Sequence, residues 1–169
     1  QKAIEQALSV RRSLFGPENL DVASSLYSLN RVYADKGDLP TSEKLARESL
    51  DIYRRLTGDH SQETAGSLCR LGVIQSRKGE IAAAEQLFTE CLKIREEGLG
   101  PNDEKLTVPL DNLARIAEER HDYVQAEALY RRALDIDRHT HGYDHPQAIR
   151  HLHNLAVVLH AAVDPLVIG

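Results

Sequence analysis

The sequence has no methionine and no tryptophan, and only two phenylalanines and two cysteines, in 169 residues. Two cysteines, Cys69 and Cys91, are too few for a disulfide framework, so both are expected as thiols in a reducing interior. No apolar run approaches the roughly 20 residues a helix needs to cross a bilayer, and no signal peptide opens the chain. Positive charge is also scarce: 21 Lys and Arg against 26 Asp and Glu give a formal net charge of -5. A general nucleic-acid binder is usually basic. Neither nucleic acid nor membrane is therefore an expected partner, and the expected compartment is the cytoplasm. No phosphate loop, G-x-S-x-G elbow or zinc-finger spacing occurs. The expectation is a non-enzymatic protein without cofactor.

What the sequence does have is repetition. Gly16, Gly58, Gly100 and Gly142 recur every 42 residues. A fixed period of this size marks a solenoid. Three apolar columns keep the same spacing: Leu26, Leu68, Leu110 and Leu152; Leu29, Leu71, Leu113 and Leu155; and Val32, Ile74, Ile116 and Val158. A second group follows in each unit, including Leu45, Leu87 and Leu129, then Leu50, Leu92 and Leu134, then Ile52, Ile94 and Ile136. Spacings of three and four residues within each group predict two helices per unit. Leu71, Leu113 and Leu155 are expected in the core.

Helix signals fall at matching points. Asn19, Ser61 and Asp103 suit the N-cap of the first helix, and Pro146 takes the first helical position in the last unit. Gly37 and Gly79 suit its C-terminal end, where a left-handed residue is wanted. His121 interrupts that pattern and predicts a strained or differently built turn. The second helix is predicted from Asp38, Glu80 or Asp122 to Gly58, Gly100 or Gly142. Within it, Glu43 with Arg47 and Glu127 with Arg131 make i,i+4 ion pairs. The register divides the chain into residues 1–14, the second helix of a truncated repeat; 15–56, 57–98 and 99–140, three repeats; and 141–169, a first helix with a tail. This predicts an all-α, right-handed α-solenoid of seven complete or nearly complete helices plus a partial tail. The missing polar caps and the start inside a helix suggest a piece cut from a longer array.

The segment "LCRLG", Leu68 to Gly72, with the small residues Ala84 and Ala126, resembles the tetratricopeptide repeat, a helix-turn-helix unit of about 34 residues. The longer period, the joining segments "LGPND" and "HGYDHP", and "LDNLA" and "LHNLA" at Leu110 and Leu152 resemble the kinesin light chain subtype. Ser28 and Arg70 stand where that pattern has Asn112 and Asn154. The resemblance implies a protein–protein interaction scaffold whose first helices line a concave groove. The alternative is a structural, oligomerising or autoregulatory segment of a larger protein.

If the first helices turn Leu26, Leu29 and Val32 to the core, the opposite stripe falls at positions 24, 28, 31 and 35 and their equivalents. It includes Ser28, Arg31, Arg70, Arg77, Asn112, Arg115, Arg150 and Asn154, with Ala161 at its end. Five arginines on one face of an acidic chain predict an acidic peptide as partner, because the guanidinium fork holds a carboxylate with two hydrogen bonds. Asn112 and Asn154 would hold peptide backbone. The five histidines from His139 to His153 lack metal-ligand spacing and are expected to be solvated. Cys69 is expected to line the groove and Cys91, in a column with Ser49 and Ala133, to be a buried packing residue. The scattered Asp and Glu are expected on solvated helix faces. Leu152, Leu155 and Val158, on a helix with no partner after it, predict a sticky C-terminal end that pairs with another copy or with the tail "DPLVIG" folded back over it.

Overall fold

The computed structural model describes residues 2–142 and 144–163. Among them are eight α-helices and no strand: α1 (Lys2–Phe15), α2 (Leu20–Asp35), α3 (Leu39–Thr57), α4 (Gln62–Arg77), α5 (Ile81–Leu99), α6 (Thr107–Glu119), α7 (Tyr123–His141) and α8 (Pro146–Val163). The chain is an all-α repeat solenoid. It has one more full helix than the sequence reading allowed, because α8 runs unbroken to Val163. The "DPLVIG" tail lies outside the described residues.

Local chemistry sets the boundaries. The Asn19 side chain accepts from the Asp21 backbone N–H, and Ser61 accepts from Thr64. Asp103 caps a short 3-10 turn, Glu104–Leu106, which leads into α6. Asp38 and Asp122 cap α3 and α7. Gly37 and Gly79 end the first helices at φ 81°. His121 adopts φ 61° at the equivalent place. Its turn is therefore built like the others, with a side chain in left-handed backbone that costs on the order of 1 kcal/mol.

The chain forms two compact units, residues 1–94 and 95–169, whose boundary falls inside α5. In the first unit, α1, α2 and α3 enclose Leu8, Val22, Leu26, Leu29 and Ile52. Phe88 of α5 is fully buried beside Gly72 of α4. A Cβ at Gly72 would lie 2.9 Å from the Phe88 ring, so only glycine admits that aromatic there. In the second unit Ala114, Tyr130, Leu134, Leu155 and Val158 form the core of α6, α7 and α8. Tyr130 lies in the same column as Phe88, and Ala114 in that of Gly72.

Most residues of the first-helix columns are buried; Val32 is half-buried, and so are Leu45, Leu87, Leu92 and Leu129 on the second helices. Leu71 and Leu155 are buried, but Leu113 is only half-buried. Leu152 is 44% exposed, whereas Leu26, Leu68 and Leu110 are fully buried.

Cys69 and Cys91 are joined in a disulfide, with Cα atoms 5.6 Å apart. Both side chains are buried, so Cys91 is buried as expected but as half of a crosslink rather than a packing thiol. The expectation of two thiols, with Cys69 lining a groove, is corrected. The small-residue column that holds Cys91 brings α5 close to α4, within bridging reach.

Candidate peptide-binding surface

The expected stripe divides between the two units. In the first unit it runs along α2 and α4, with Ser28 and Arg31 exposed on α2. The Ser28 hydroxyl turns back to the Ser24 carbonyl, 3.0 Å away. Arg70 is half-buried, with its guanidinium 5.6 Å from the Tyr27 ring centroid. Its Nε is buried and has no hydrogen-bond partner among the described residues. Arg77 is committed elsewhere: its Nη1 donates to the Ala34 carbonyl at 2.7 Å, tying α4 to the end of α2.

In the second unit the stripe lies on α6 and α8, and its cations have internal partners. Arg115 lies 3.3 Å from Glu119 and donates to the Asn112 side chain. Asn112 Nδ2 donates to the Val108 carbonyl, one turn back. Arg150 is 4.0 Å from Asp111, and Asn154 donates to the same carboxylate at 3.4 Å. Ala161 is buried rather than facing outward. At that register Asp35 and Glu119 have charged side chains that remain exposed, whereas a methyl group lies under its neighbours.

The second unit also contains a polar cluster that the sequence did not suggest. His151 is fully buried, contrary to the expectation of solvated histidines. Its Nδ1 lies 2.8 Å from Asp137, itself fully buried, and its Nε2 lies 3.3 Å from Asp111. Both contacts lie off the line of a well-directed hydrogen bond. The triad Asp111–His151–Asp137 thus joins α6, α8 and α7. Burial pushes the Asp111 carboxyl up, but the His151 ring and the Arg150 and Arg115 charges together hold it below the usual carboxylate range. Tyr130 donates to Glu118 at 3.1 Å, and its hydroxyl is raised by burial and by the charges of Glu118 and Asp111. Asp111 and Asp137 are not on solvated faces, and that expectation is corrected for them.

A signal for this cluster did exist. At the same register in the first unit, Arg11 Nη1 donates to Ser25 Oγ at 2.6 Å. Arg11 and Ser25 occupy the columns of Asp137 and His151. Two positions fourteen residues apart changed chemistry together, and only the packing shows that they touch.

The expected ion pairs are present. Arg47 and Arg131 each lie 2.7 Å from Glu43 and Glu127. Glu43 also receives Lys78 at 2.7 Å and the Gln75 amide at 2.8 Å. The Lys78 contact chiefly lowers its pKa, with Arg47 and Gln75 adding to the effect against burial, to about 2.

The family model of the tetratricopeptide repeat matches residues 31–97 and 106–165. The chain belongs to that family. Solved repeat structures share its fold. BtubC (BKLC) from P. vanneervenii superposes with a TM-score of 0.84 at 20% identity, over 96% of this chain and 65% of that one. The Podosopora anserina putative kinesin light chain, with nearly identical TPR-like repeats, gives a TM-score of 0.76 at 18% identity, over 96% of this chain and 77% of that one. The tetratricopeptide chain thus spans less than two thirds of BtubC. At these identities the likeness is one of fold. No curated protein matches the chain. Among the described residues, no helix is long and apolar enough to cross a membrane, and no group of His, Cys, Asp and Glu is arranged to hold a metal ion.

Proposed function

We propose that this tetratricopeptide array is a non-enzymatic scaffold that binds an acidic peptide, and that the α2–α4 surface of the first unit carries the binding. Tetratricopeptide repeats in general mediate protein–protein interaction. The observation that supports the acidic preference is Arg70. Its guanidinium is held against Tyr27 with a buried N–H that has no acceptor, and a buried unpaired donor is costly. A carboxylate supplied by a partner answers both the charge and the missing acceptor. Arg31, exposed on the neighbouring helix, adds a second cation.

The second unit supports this reading less, because Glu119 and Asp111 already face Arg115 and Arg150. Asn112 and Asn154 are likewise engaged with neighbouring residues. A peptide that reached this surface would have to displace those contacts.

Cytoplasmic residence, the compartment read from composition, sits against the Cys69–Cys91 bridge, since such bonds persist in oxidising surroundings. Thiol labelling of the natively isolated protein decides this. Two free thiols support the cytoplasm and a protected bridge opposes it. The alternative role, self-association, is favoured by the exposed apolar residues on α8.

The peptide reading is tested by selection from a random peptide library on wild type and on the double variant Arg31→Glu with Arg70→Glu. Acidic sequences should be enriched on wild type and lost on the variant. Basic or purely apolar hits would overturn the proposal.

A further inference from the structure

Gly66 and Gly72 both lie inside α4, and the fold requires only one of them. At Gly72 a Cβ would lie 2.9 Å from the Phe88 ring. At Gly66, among the described residues, a Cβ would meet only the Tyr27 hydroxyl, at 4.0 Å. That is ordinary van der Waals distance, so alanine would fit. Gly66 does not adopt left-handed backbone, so its conformation does not call for glycine either. A glycine in a helix interior costs stability relative to alanine, because it loses the most backbone freedom on folding. The equivalent positions in the other repeats carry side chains, Ser24, Val108 and Arg150, all exposed. Neither packing nor backbone geometry accounts for the bare position.

Its surroundings point to a ligand. Side chains on a helix lean toward its N-terminus, over the residue four places before. Arg70, four residues after Gly66, therefore leans over the bare turn. Its guanidinium lies 5.6 Å from the Tyr27 ring centroid, and its Nε is buried with no hydrogen-bond partner among the described residues. The Tyr27 hydroxyl stands at the edge of the same gap and can donate a hydrogen bond. Two kinds of donor thus flank a stretch of uncovered helix backbone.

We propose that Gly66 determines the specificity of the α2–α4 surface: with no side chain there, an acidic residue of the peptide lies close against α4 and places its carboxylate between the Arg70 guanidinium and the Tyr27 hydroxyl. The proposal rests on the acidic-peptide reading and adds to it the position of the acid. A methyl group at residue 66 would hold that acid away by about one carbon–carbon bond, ~1.5 Å. A carboxylate at bonding distance would then be out of hydrogen-bond range. Glu63, three residues before Gly66, is exposed and carries the same sign as the ligand, so the acid is favoured on the Arg70 side of the gap.

The test is Gly66→Ala, followed by thermal unfolding and by anisotropy titration of a labelled acidic peptide from the library selection. The melting temperature should rise by about 1–4 °C, because an alanine replaces a glycine inside a helix. Affinity should nevertheless fall by about fivefold or more, the worth of one hydrogen bond, and Gly66→Leu should weaken it further. A glycine that served the fold alone would lose stability on substitution, so a variant that melts higher and binds worse separates the two roles. Unchanged affinity in Gly66→Ala overturns the proposal, and it leaves the acidic-peptide reading standing where Arg31→Glu with Arg70→Glu still loses binding. A lower melting temperature for Gly66→Ala also overturns it, since the fold would then need the glycine. A selection that yields no acidic peptide, or a double variant that binds unchanged, overturns the reading and this proposal with it.

Discussion

Glu96 of α5 pairs with Arg132 of α7 across thirty-six residues, with the charges reversed relative to Arg54 and Glu90 one repeat earlier. Arg12 and Glu48 occupy the same register again. Consecutive second helices are therefore linked at one recurring point by opposite charges, whichever helix carries which sign. Arg132→Glu should set two carboxylates against each other, and Glu96→Arg combined with Arg132→Glu should restore the pair. These side chains are part-exposed, so the coupling energy is expected at about 0.2–1 kcal/mol. A double-mutant cycle by chemical denaturation measures it. Zero coupling at low salt would contradict a bonded pair.

The buried His151 is expected to matter far more than any surface histidine. His151→Ala leaves Asp137 fully buried without the imidazole that lies 2.8 Å from it. Leaving a buried polar group without its partner costs roughly 1–3 kcal/mol, and the cavity left by the ring adds to that. His153→Ala, two residues on at an exposed position, should cost less than about 0.5 kcal/mol. Equal melting temperatures for the two variants would contradict the placement of His151.

Acid should weaken the first unit through Glu43. Its carboxyl is lowered from 4.5 to about 2 in the folded chain. A depressed acid contributes stability that is present above its unfolded pKa and lost as pH falls through the folded one. The loss should therefore run from about pH 4.5 down to about pH 2. Because the site is partly solvated, its size should be on the order of 1 kcal/mol. Glu43→Gln should remove this part of the pH dependence, which denaturation at pH 7 and pH 3 would show. An unchanged pH slope in the variant would contradict the assignment.

Reduction of the Cys69–Cys91 bridge should lower stability. The crosslink closes a segment with a sequence separation of 22, and a loop of this size is worth about 3 kcal/mol on the chain-entropy model. Cys69→Ser with Cys91→Ala should match the reduced wild type. A melting temperature indifferent to reductant, with two titratable thiols, would show that the bond does not form in solution.

The repeat architecture was legible in the sequence because its causes are local and recurrent. Asn19 and Ser61 cap where they were expected, and the i,i+4 pairs form because one helix fixes both partners. Much of the surface chemistry was not legible. Helical spacing placed Arg77 and Arg150 on one stripe, but it carries no record of Ala34 or Asp111 waiting on the next helix. The fate of Cys69, His151 and Asp137 depended on contacts between helices. At His121 the sequence left two readings, a strained or a differently built turn, and the structure has the strained one: a non-glycine residue adopts left-handed backbone at φ 61° because the turn around it requires that geometry.

The central claim is that Arg31 and Arg70 make the α2–α4 surface of the first unit a receptor for acidic peptide. The most direct measurement is a fluorescence-anisotropy titration of one acidic peptide taken from the selection, against wild type and against Arg31→Glu with Arg70→Glu, at two salt concentrations. The account predicts that wild-type binding weakens as salt rises and falls at least tenfold in the double variant, while the helical circular dichroism is unchanged. Equal affinity for the two proteins, or wild-type binding indifferent to salt, would contradict it.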